Sequence, residues 1–94
     1  MRHHILVKWK DDTGDRAALA NEVRAMFAPL TAMEGIHSVS VHPNVVDRPN
    51  RYDLMIVLCM DEKALPLYDA SAAHQAWKAQ YGEKIAAKVI FDCE

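Results

Sequence analysis

This chain of 94 residues has two cysteines, Cys59 and Cys93, with no paired spacing between them. Each sits in an apolar alternating segment, which fits free thiols in a reducing compartment better than a disulfide staple. No apolar run reaches the ~18 residues that a membrane helix needs, and no apolar leader stands at the start, so the expected location is the cytoplasm, with no membrane partner. Charge of one sign is missing too. Eleven basic and thirteen acidic residues give a net charge of −2, interspersed along the chain, and this argues against nucleic acid as a partner. Repeats, linkers and low-complexity tracts are absent. So are His-x-His and HExxH patterns, and His37 and His42, an odd number of residues apart, fall on opposite sides of one strand, so no metal or other cofactor is expected.

What is present is a sequence of alternations. A length of 94 residues implies one domain over 1–94. Residues 3–10 set His3, Ile5, Val7 and Trp9 against His4, Leu6, Lys8 and Lys10, the period of a strand. After the turn Asp11–Gly14, residues 15–28 place Leu19, Val23, Met26 and Phe27 at helical spacing, with Thr13 or Asp15 available as N-cap and Pro29 expected to end or kink the helix. Gly35 suits a turn before a strand at 36–43, in which Val39 and Val41 oppose Ser38, Ser40 and His42. A hairpin leads to residues 52–60, YDLMIVLCM, which are nearly apolar on both faces and therefore read as a central strand.

Asp61 can cap a helix through Leu65 and Tyr68, distorted by Pro66. A further helix from Ser71 carries His74, Trp77 and Tyr81 on one side and breaks at Gly82. Lys88–Cys93 reads as the last strand, with Val89, Phe91 and Cys93 alternating against Lys88, Ile90 and Asp92. The order βαββαβ predicts an α+β class: a ferredoxin-like split βαβ sandwich on a four-stranded antiparallel sheet. Helices cover one face of such a sheet, yet the central strands are apolar on both. The simplest cover for the other face is a second copy, giving a homodimer that closes into an α/β barrel.

The candidate site follows from titratable and aromatic side chains at the core's edge. His3 opens an apolar strand face, and Tyr68, His74 and Trp77 recur along the second helical segment. A cavity between helices and sheet is expected, lined by His3, Ile5, Val7, Tyr68, His74, Trp77 and Tyr81 and taking a small apolar or aromatic molecule. At His74 two readings stand. An imidazole titrating near neutral pH can serve as a general base beside a tyrosine that polarises a carbonyl. Alternatively the ring packs on Trp77 with one nitrogen bonded to backbone. Asp53, at the mouth of an apolar strand, needs water or a partner such as Arg51 or Arg2 and reads as structural.

Three stretches carry a resemblance. RHHILVKWK at the start, MEGIHSVSV with Glu34 in place of a usual proline, and YDLMIVLCMDEKALPLYDASAAHQAW resemble the stress-responsive dimeric α/β barrel (Dabb) domain family nearly end to end. That resemblance implies homodimers. A weaker similarity to polyketide cyclases of the olivetolic acid type implies a cofactor-independent cyclase, lyase or monooxygenase acting on a polyketide-like carbonyl compound. On it, His74 would be the general base, with Tyr68 and His3 beside it. Where many relatives have a His-Pro pair, this chain has Ser71-Ala72-Ala73-His74.

Overall fold

The structure, a computed structural model, describes residues 1–94. Strand β1 (Arg2–Trp9) leads into helix α1 (Arg16–Phe27), and β2 (Ile36–Pro43) is followed by β3 (Leu54–Met60). Two helices, α2 (Leu65–Asp69) and α3 (Ala72–Tyr81), then precede β4 (Ile85–Cys93). The four strands form one antiparallel sheet in the order β2-β3-β1-β4, the split βαβ arrangement of the ferredoxin-like fold.

Local chemistry fixes each boundary. Asp15 caps α1, its carboxylate accepting from the backbone N–H of Ala17 (2.9 Å) and Ala18 (3.4 Å). The α-helix stops at Phe27, and the chain tightens into a 3₁₀ turn over Ala28–Ala32 that contains Pro29. Gly35 has a φ of +86°, and a Cβ placed there would stand 2.9 Å from the Cβ of Ala64, so both backbone and space demand glycine. Asp61 was expected to cap the helix after β3 but makes no capping bond; its carboxylate instead meets the exposed His37 Nε2 at 2.9 Å. Ser71 does cap α3, accepting from the His74 N–H at 3.1 Å. The α-helix ends at Tyr81 with Gly82 as its C-cap, the break expected there, and Gly82, in an ordinary right-handed conformation, begins a 3₁₀ turn over Gly82–Lys84. Strand β4 starts at Ile85, three residues earlier than its alternation suggested, because the register on β1 shifts between Lys8 and Trp9.

The helix-covered face of the sheet is the core. Ile5, Val7, Trp9, Leu54, Ile56, Leu58 and Met60 point at Leu19, Val23 and Phe27 of α1 and Trp77 of α3 in one hydrophobic cluster. A register shift in β2 places Ile36 opposite Met60 and Ser38 opposite Cys59, leaving His37 as an extra residue. That shift lets Ile36 share the core face with Val41 despite their odd separation.

The opposite face carries no helix. Leu6, Met55, Val57 and Cys59 are half-buried there, and Val89 and Phe91 are exposed. Cys59 and Cys93 lie on this face, both opposite Arg2, one on each side of β1. Two strand spacings, about 9.6 Å, separate them, too far for a disulfide. Asp53 is paired with neither Arg51 nor Arg2. Its carboxylate forms an ion pair with Arg16 at the start of α1 and accepts the Trp9 N–H at 2.8 Å, tying the end of β1 to α1. No helix is long and apolar enough to cross a membrane.

Candidate functional site

A cavity of about 280 Å³ opens between α2, α3 and the edge strand β4. Its wall brings together five of the residues expected at a pocket, His3, Ile5, Tyr68, His74 and Trp77. Val7 and Tyr81 lie outside it. Val7 is fully covered in the core, and Tyr81 turns away to pack on Trp9 and Trp77 while its hydroxyl donates to Glu22 at 3.0 Å. Burial and then that bond to Glu22 push the Tyr81 hydroxyl up to about 12.

His3 is the one buried residue outside the apolar and aromatic set. As the second residue of β1 it faces the helices, and β4 supplies its partner: Nδ1 lies 2.5 Å from Asp92 Oδ1 across the strand pair His3–Asp92. In the neutral ring Nδ1–H donates to that carboxylate, which leaves the Nε2 lone pair unused. The ring stands edge-on to Tyr68 with centroids 5.5 Å apart.

Tyr68 sits between the two histidines, its ring 4.8 Å from that of His74. Its hydroxyl is buried and has no hydrogen-bond partner. A buried polar group without a partner costs about 1–3 kcal/mol, and such groups are few in folded proteins. Burial, reinforced by the nearby charge of Asp69, pushes this hydroxyl well above the ordinary tyrosine range, so it remains a neutral O–H donor.

His74 is held by the turn between α2 and α3. Its Nδ1 lies 2.8 Å from the carbonyl oxygen of Asp69. A carbonyl only accepts, so Nδ1 carries the proton and Nε2 of the neutral ring is the basic nitrogen. The backbone bond belongs to the second reading of this residue, although the ring packs on Tyr68 and not on Trp77. The same bond orients the ring as a base would need. The site residues that escaped the sequence reading are Leu65 and Asp69 of α2, Asp92 behind His3, and Lys88 together with Ile90 on the cavity wall. The alternation of Lys88, Ile90 and Asp92 was visible; which side of β4 faces the helices was not. No group of three or more His, Cys, Asp or Glu side chains is placed to hold a metal ion.

These features define a class, a ferredoxin-like α+β domain with one helix-covered and one bare sheet face and a histidine–tyrosine cavity at its edge. The chain belongs to the stress-responsive A/B barrel domain (Dabb) family, whose model matches residues 1–94. Solved structures agree on the fold. A dimeric ferredoxin-like protein of unknown function from Bacteroides fragilis superposes with a TM-score of 0.81 at 18% identity, covering 99% of this chain and 93% of its own. A dimeric ferredoxin-like protein of unknown function from Thermobifida fusca gives 0.78 at 22% identity, covering 96% and 85%. A Dabb family protein from Mesorhizobium loti gives 0.72 at 14% identity, covering 99% and 93%. No curated protein matches the sequence.

Proposed function

We propose that this single-domain protein acts as a cytoplasmic homodimer, closed through its bare sheet faces, and that the cavity in each protomer binds a small apolar or aromatic molecule bearing a carbonyl group. The observation that carries the ligand is the buried, unpartnered hydroxyl of Tyr68 beside two histidines in the cavity wall. A carbonyl oxygen is the acceptor that hydroxyl lacks, and Ile5, Leu65, Trp77 and Ile90 supply an apolar surround. The dimer is supported by the half-buried row Leu6, Met55 and Val57 on the bare face and by relatives described as dimeric. Two free thiols suit the reducing cytoplasm.

A second reading, a cofactor-independent cyclase, lyase or monooxygenase acting on a polyketide-like carbonyl compound, is favoured by the tautomer of His74. With Nδ1–H committed to Asp69, Nε2 can take a proton from the carbon next to a bound carbonyl. The electron pair then moves onto the carbonyl oxygen, where the Tyr68 O–H stabilises it. Native mass spectrometry of gently purified protein tests the first reading. The expected species is a dimer near twice 10.6 kDa, carrying a reproducible small-molecule mass that Tyr68→Phe loses. A monomer at micromolar concentration overturns the sheet pairing, and a clean empty dimer overturns the resident ligand. For the second reading, His74→Ala should abolish turnover of whatever compound is recovered while leaving the dimer and its ligand mass in place.

A further inference from the structure

Three cross-strand pairs of β1 and β4 lie along the floor of the cavity, every member but the core-sealed Val7 bordering it, and they differ in kind. His3 lies opposite Asp92, Ile5 opposite Ile90, and Val7 opposite Lys88. Lys88, Ile90 and Asp92 share the helix-facing side of this edge strand, and all three border the cavity. At roughly 3.4 Å per residue, Lys88 and Asp92 stand about 14 Å apart along the strand. One end therefore gathers Asp92 and His3 with Tyr68, Asp69 and His74. The middle is apolar, and the far end carries an ammonium. That ammonium has no ion-pair partner in the chain, whose side-chain pairs are His3–Asp92, Arg16–Asp53 and His37–Asp61.

Charge sets the orientation of anything bound along these pairs. Asp69 and Asp92 repel an anionic group from the histidine end, where the Tyr68 hydroxyl lacks an acceptor. Lys88 attracts such a group at the opposite end. We infer that the cavity selects a small amphipathic oxoacid: a neutral carbonyl at the His3–Tyr68–His74 end, an apolar middle over Ile5 and Ile90, and a carboxylate held by Lys88. This rests on the cavity being the ligand site and goes beyond it in naming the charge, the polarity and the direction of the ligand.

The test is an NMR titration of the full chain with 7-oxooctanoate and, separately, with its uncharged amide, 7-oxooctanamide, followed at the Trp77 indole and the histidine ring signals. At low salt the oxoacid should bind about fivefold more tightly than the amide, the scale of one partly solvated charge-assisted contact, and the gap should narrow as salt is added. Lys88→Gln should bring the oxoacid to the amide's affinity and leave the amide unchanged; Lys88→Arg should keep the preference. Lys88 is exposed, so these replacements leave the core untouched. Equal binding of acid and amide, or a preference that survives Lys88→Gln, overturns the selection for an anion while the cavity remains a ligand site. Failure of both compounds to bind at millimolar concentration overturns both.

Discussion

The two faces of the sheet are made by the same strands and have opposite fates. On β3, Leu54, Ile56, Leu58 and Met60 point at the helices and are all but sealed from solvent, whereas Met55, Val57 and Cys59, their immediate neighbours in sequence, are only half-covered. Nothing in the hydropathy of the two sets separates them. What differs is supply: α1, α2 and α3 all pack on one side, and an apolar face on the other is left for association. An alternation of equally apolar residues thus leaves one face packed within the chain and the other bare, the face on which the proposed dimer would close.

The largest way to break this comparison is on the covered face. Ile56→Ala should cost about 2–5 kcal/mol in urea unfolding, because it leaves a cavity in a fully packed site. The mirror experiment is Val57→Glu, one residue along. It should leave the protomer's secondary structure by circular dichroism unchanged and shift the sedimentation coefficient to that of a monomer; a dimer that persists would move the proposed interface elsewhere.

A smaller effect separates core from site. Tyr68→Phe removes a buried hydroxyl that bonds to nothing in the chain, so the empty protein should be as stable as the parent or more stable by up to about 1 kcal/mol, even as it loses ligand. A clear loss of stability without ligand would show that the hydroxyl is already satisfied.

The smallest effects come with pH. Tyr81 is raised in the folded protein from 10.0 to about 12, so between those values the folded state holds more protons than the unfolded one. This contribution should be fully present below pH 10 and be lost as pH rises through that window, alongside one of the same sign from Tyr68, so Tyr81→Phe should make the decline shallower without abolishing it. At the other extreme the hydrogen bond from His37 holds Asp61 below its ordinary 3.8, a contribution present above that value and lost as pH falls. Asp61 is fully exposed, so His37→Ala should return its carboxylate toward 3.8 in an NMR titration with little change in overall stability.

Much of the fold was legible because period is a local property. The alternation of residues 3–9, the helical spacing of Leu19, Val23 and Phe27, and the doubly apolar β3 each declare an element from neighbouring residues alone. Two boundaries were not legible. His37 as an extra residue in β2 and the early start of β4 at Ile85 are set by register against β3 and β1. Asp53 illustrates the same limit: a need for water or a partner was plain from its apolar surroundings, but the choice of Arg16 depends on where α1 begins relative to β1. Among site residues, His3, Tyr68 and His74 stand out as polar or aromatic groups on apolar faces. Lys88 and Asp92 have ordinary strand-edge chemistry, and only the pairing of β4 with β1 brings them to the cavity.

The extra residue in β2 has a mechanical meaning. Strand β2 lies at the edge of the sheet, held by β3 alone, and a strand that alternates strictly can slide two residues along its neighbour and still present the same faces. With His37 inserted, Ile36 and Val41 reach the core only while the irregularity sits beside Cys59 and Met60. A slide in either direction would carry the kink into a regular stretch and expel Ile36 from its seat. The outermost strand thus carries its own stop, a single tooth that admits one position on the rack, clasped from outside by Asp61.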